Sequence, residues 1–143
     1  MQKNSSNMTT FKPKHFVKFK FTPEQIRRYF DNATRDLKIA FEDDHVEVKF
    51  NYCYNALIKT GIALIAAKGG VKVRSVAGHH IKIIEKMSEI LSDEMVMTIG
   101  NAMRTKRNED FYGGGIFISE KESAEYLDYV SSVLKKVGHL INV

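Results

Sequence analysis

The residues best suited to chemistry lie in the run Arg104-Thr105-Lys106-Arg107-Asn108, just ahead of Tyr112 and the triplet Gly113-Gly114-Gly115. At helical spacing Arg104 shares a face with Arg107 and Asn108. Arg107 also extends the apolar row Val96, Ile99/Gly100, Met103, which draws its guanidinium toward the interior. A charge placed there needs a partner, because burying it alone is expensive. Two partners suit the forked donors of a guanidinium. An internal carboxylate makes the run a structural ion-pair network, and a bound phosphate makes it a clamp. The glycines stop the helix and set a flexible turn beside the arginines. They lack a following Lys-Ser/Thr and a preceding strand, so they are not a phosphate loop.

His79 and His80 are the secondary candidates. Adjacent residues on a helix point about 100° apart, so these two cannot chelate one metal from one face. One is expected to face the core or cap the helix, and the other to reach a cleft. No further Cys, His or carboxylate spacing supports zinc, so neither a metal nor a cofactor is expected. His15, His45 and His139 stand alone. Hydrolase and dinucleotide-binding signatures are missing. Tyr126 and Tyr129 fit helix packing better than base stacking, since no sheet carries them. Cys53 falls in an apolar repeat and reads as a core thiol.

The elements that must position these residues are helical. Thr22-Pro23-Glu24-Gln25 is a capping-box start, followed by the stripe Ile26, Tyr29/Phe30, Ala33, Leu37, Ala40/Phe41. A second helix is predicted from about Asp44 to Lys68, with Val46, Phe50, Cys53/Tyr54, Leu57, Gly61 and Leu64/Ile65 inward, ended by Gly69-Gly70. Residues 71–76 alternate briefly and read as extended. Gly78-His79-His80 opens a third helix, Ser92 is expected to cap a fourth, and Ser119 with Glu122 starts a fifth. The fifth carries Glu122/Ser123, Tyr126, Tyr129/Val130, Val133, Val137 and Leu140/Ile141 at burial spacing. The expected fold is all-α, an up-and-down bundle of about five helices over residues 22–143.

Residues 1–21 are predicted as a separate basic, partly disordered N-terminal arm, with a short extended stretch from His15 to Phe21. Val17, Phe19 and Phe21 alternate there with Lys18 and Lys20, as a strand lying on the body or on a second subunit would. The charge is uneven: five lysines and no acid fall in 1–21, while the other 17 Lys and Arg match the 17 Asp and Glu. The net charge of +5 is therefore the arm's, which suits either a solvated tail or an attraction to nucleic acid. A single cysteine excludes an internal disulfide framework and suits a reducing cytoplasm. No uninterrupted apolar run is long enough to cross a membrane.

On its helix order, on Val73-Arg74-Ser75 through Gly78-His79-His80, and on Arg107-Asn108-x-x-x-Tyr112, the chain resembles the HEPN superfamily over about residues 22–141. These are small all-α domains of prokaryotic defence, toxin–antitoxin and RNA-processing systems. The resemblance implies a homodimer whose two motifs face each other across a cleft. It also implies a metal-independent endoribonuclease in which the RNA 2′-hydroxyl attacks the adjacent phosphate. Carried over, Arg107 stabilises the developing phosphorane charge, Asn108 positions the phosphate, and Arg104, Lys106 and Arg107 contact nucleic acid. The family's signature histidine is replaced here by Tyr112, whose ordinary pKa of about 10 makes it a poor base near neutrality. That departure leaves three alternatives: an endoribonuclease with Arg107, Asn108 and Tyr112 as its catalytic set, or with His79 or His80 standing in for the histidine; a non-catalytic module holding RNA, nucleotide or a partner nucleotidyltransferase; and a purely structural dimeric interaction protein.

Overall fold

Thr22 opens the first helix as its sequence predicts. Its hydroxyl accepts from the Gln25 N–H at 3.1 Å, and Gln25 Oε1 accepts from the Thr22 N–H at 2.9 Å. Pro23, which has no N–H to satisfy, sits in the first turn of α1 (Pro23–Glu42). The computed structural model describes residues 10–112 and 118–142. Ahead of α1 lies β1 (Phe16–Lys18). After it come α2 (Val46–Gly69), β2 (Val71–Val73), α3 (His79–Leu91), α4 (Glu94–Tyr112) and α5 (Glu120–Ile141). The fold is the expected all-α bundle.

α2 is its hub and packs against all four other helices. Phe50, Tyr54, Leu57, Leu64 and Ile65 are buried, as the stripe predicts, but so are Ala56, Ile58, Thr60 and Ala63. A helix covered on several sides buries more than one stripe, and its small residues let the neighbours approach. It ends where Gly70 takes a left-handed conformation, φ 61°, that relieves the last carbonyls. α1 adds a charge to this interface. Asp36 is fully buried between Ala33 and Ala40, and its Oδ2 pairs with Lys59 Nζ on α2 at 2.7 Å, an ion pair rather than an aligned hydrogen bond.

Two boundaries refine the sequence expectations. Ser92 does not cap α4; it closes α3 with φ 51°, and Asp93 caps instead, its Oδ1 accepting from the Met95 N–H at 3.0 Å. A carboxylate suits the positive end of a helix better than a hydroxyl does. Ser119 caps α5 as predicted, accepting from the Glu122 N–H at 3.0 Å.

The arm, from residue 10 onward, is part of the body. β1 pairs antiparallel with β2 in the register Phe16↔Val73, Val17↔Lys72, Lys18↔Val71. Arg74 clamps the turn before it: its N–H donates to His15 O at 2.7 Å and its guanidinium to Pro13 O at 2.8 Å. The turn fixes which face of the strand looks inward. Phe16 enters the core at 4% exposure, while Val17 and Phe19 stay largely exposed. Phe19 packs at a tilt on Phe21, centroids 4.6 Å apart, and Phe21 meets Tyr29 of α1 edge to face at 5.7 Å.

α3 is held between α2 and α4 by two glycines. A Cβ on Gly61 would lie 2.5 Å from both Ile83 and Met87, and one on Gly100 would lie 2.8 Å from Ile84. Only hydrogen fits at these crossings. α4 then folds back along α3, so its last turns return to the start of α3 and to the middle of α2.

Candidate functional site

Tyr54, fully buried in α2, is the centre of that meeting point. Its hydroxyl lies 3.0 Å from His80 Nδ1, in the first turn of α3, with ring centroids 5.6 Å apart. Over the other part of the ring, the Arg107 guanidinium carbon sits 5.6 Å from the centroid. The ring face of an uncharged tyrosine is thus one partner of the semi-buried guanidinium, a cation–π contact in addition to the two kinds of partner expected from sequence. Arg104, one turn earlier, is anchored by Nε donating to Asn101 Oδ1 at 3.1 Å.

Protonation states follow from burial and charge. Burial pushes the Tyr54 phenol up to about 12 against the opposing pull of Arg107 and Arg104, so it is a neutral hydroxyl. Burial, then His79, Arg107 and Arg104, lower His80 from 6.5 to about 4, so its imidazole is neutral at pH 7. The phenol is the more acidic of the two neutral groups. It therefore donates to Nδ1, and His80 keeps its proton on Nε2. His79 is fixed the other way. Its Nδ1 lies 2.9 Å from the Val76 carbonyl, which can only accept, so Nδ1 carries the proton. The two imidazoles meet edge to face at 4.4 Å. His79 is thus tied to the backbone ahead of the helix without capping it, and His80 faces the buried Tyr54.

The fold brings together four of the predicted residues: Arg104, Arg107, His79 and His80. Lys106 turns toward α5, its Nζ 3.4 Å from Glu122. Asn108 is exposed. The side chain of Tyr112 and the run Gly113–Gly115 lie outside the described residues. Among the described residues, no cluster of three His, Cys, Asp or Glu side chains is spaced to hold a metal ion. No described helix is long and apolar enough to cross a membrane. Cys53 is a buried core thiol, pushed up to about 12 by burial and so unreactive.

Sequence reasoning missed Tyr54 as a functional residue, counting it only in the apolar stripe of α2. The available signal was its hydroxyl, since a tyrosine in the middle of a buried stripe must find a hydrogen-bond partner there.

Among the described residues, the cations that act on both His80 and Tyr54 are Arg104 and Arg107. Such a field opposes protonation of the imidazole and favours an anion beside it. No family model, curated protein or solved structure matches the chain.

Proposed function

We propose that the chain is a HEPN-like domain that binds single-stranded RNA, with a phosphate seated against Arg104, Arg107 and His80. The observation that carries this is a neutral imidazole held by Tyr54 inside a field made by two arginines. Guanidiniums supply forked donors to a phosphodiester, and the His80 Nε2–H adds a neutral one. The resemblance supports a homodimer in which two such clusters share one strand, and the single cysteine suits a reducing cytoplasm.

Fluorescence anisotropy with a labelled single-stranded RNA tests the site. Arg104→Ala and Arg107→Ala are each expected to weaken binding by about tenfold or more, roughly 1.4 kcal/mol. Each should also make the log–log salt dependence shallower by about 0.7. Unchanged affinity in variants that melt like wild type places the RNA elsewhere.

The His80 imidazole favours a second reading, a metal-independent endoribonuclease. It stands beside Arg107 in a chain whose signature position holds Tyr112. To accept a proton at Nε2, His80 must reverse its bond with Tyr54, Nδ1–H donating to the phenol oxygen. The 2′-hydroxyl then gives its proton to Nε2 and attacks the adjacent phosphorus. The P–O5′ bond breaks as the 5′-oxygen takes that proton from the imidazolium, and Arg107 offsets the phosphorane charge. Incubation with RNA in excess EDTA decides between the two. Products with 2′,3′-cyclic phosphate ends, lost in both Arg107→Ala and His80→Ala, establish the nuclease. Intact RNA throughout leaves a binding module, with a nucleotidyltransferase as the partner to seek.

A further inference from the structure

We propose a second anion site, at the seam between the N-terminal arm and α3, which takes a phosphate group between Lys12, His15 and Lys82. It is separate from the Arg104–Arg107 cluster and does not depend on the RNA reading. A cavity of about 280 Å³ opens there, lined by Lys12, His15, Phe16, Lys82, Glu85 and Lys86. That volume is near the small end of ligand pockets, about 300–1,000 Å³.

His15 supplies the independent sign of a ligand. It is only 8% exposed, and its Nδ1 is shielded from water with no hydrogen-bond partner. Buried polar atoms nearly always have one, so this ring beside a cavity is left unsatisfied, and a small turn of it toward a bound group would complete the structure. The ring is also pre-placed, because Arg74 fixes the His15 carbonyl and the turn before it.

The charge around the cavity selects an anion. Lys86 is engaged structurally, 3.2 Å from Glu89 and over the Phe11 ring at 5.9 Å. Glu85 lies 3.5 Å from Lys82 and 3.8 Å from Lys86, so on α3 two lysines stand against Glu85 and Glu89 and the surplus comes from the arm. The arm adds Lys12, and Lys14 and Arg74 lie close enough to act on His15. Lys82, Lys14 and Arg74, together with burial as the largest cause, hold the imidazole below 6.5 against the opposing Glu85. A surplus of cations beside an unpartnered imidazole matches a doubly charged phosphate better than a single carboxylate.

The test uses the full chain labelled with 15N and inorganic phosphate as the probe, at pH 7.5 and constant ionic strength set with chloride. The His15 ring nitrogens are expected to shift saturably as phosphate is added. In Lys12→Gln/Lys82→Gln, which leaves Phe16 and Lys86 in place, the apparent Kd should rise by about tenfold or more. No saturable shift, or an equal shift in the double variant with unchanged melting, overturns the site. Competition then separates the sources of the phosphate. Displacement by 5′-phosphorylated but not 5′-hydroxyl RNA supports a nucleic-acid end, and phosphate binding that neither RNA disturbs supports a small phosphorylated molecule.

Discussion

Tyr54 acts from one buried position in two directions, carrying Arg107 on its ring and holding His80 by its hydroxyl. The consequence is readable in the pH dependence of stability. His80 titrates near 4 in the folded chain and near 6.5 when unfolded. Between those values the unfolded chain binds a proton that the folded chain refuses, so stability is complete above about pH 6.5 and falls as pH drops toward 4. His80 is only partly buried, and solvent screening reduces the full linkage to about 2 kcal/mol. Denaturant unfolding at pH 7 and pH 4.5 should show that extra loss in wild type and not in His80→Gln. Equal losses in both would mean that neither burial nor the neighbouring arginines lower His80. Spacing alone exposed Arg104 and Arg107 as candidates, because a cation on an apolar row is visible in one dimension. Tyr54 was not visible as their partner, since α2 and α4 are brought together only by tertiary packing.

Two helix starts were legible because their caps act locally, Thr22 with Gln25 and Ser119 with Glu122. At α4 the equally local Asp93 cap was hidden by the neighbouring Ser92, which offers the same cap chemistry one residue earlier. What periodicity could not show was the placement of α2 at the centre, or the burial of Asp36 against Lys59, since both depend on which helices become neighbours. The positioning of α3 depends on Gly61 and Gly100. Gly61→Ala gains up to about 1 kcal/mol of helix propensity. The new methyl, however, would lie 2.5 Å from Ile83 and Met87, both fully buried, so one or both must shift within the core. Overpacking costs about 1–3 kcal/mol, so the net effect is destabilising by about 1 kcal/mol. A lower Tm together with weaker RNA binding is expected, because the shift of α3 carries His80 away from Arg107. A Tm at or above wild type would show that the crossing has room.

For the molecule as a whole, the sequence located the net charge in the arm and suggested a strand lying on the body. It did not show which face docks, because both sides of His15–Phe21 offer apolar residues. Since Phe16 belongs to the core, deleting the arm would measure folding rather than binding. Lys14, Lys18 and Lys20 are exposed and can be neutralised to Gln without disturbing it. If RNA runs along the arm, the triple variant should lower the log–log salt slope by about 0.7 for each lysine that meets a phosphate. An unchanged slope confines the arm to docking.

The central claim, that Arg104, Arg107 and His80 form one phosphate site, is tested most directly by following the His80 imidazole by 1H–15N NMR during addition of single-stranded RNA. A bound phosphate offsets the arginine field, so in wild type the ring signals should shift saturably and the pKa should rise from about 4. Arg107→Ala should lose most of the response. His80 signals that stay still while RNA binds, or that move equally in Arg107→Ala, would contradict it.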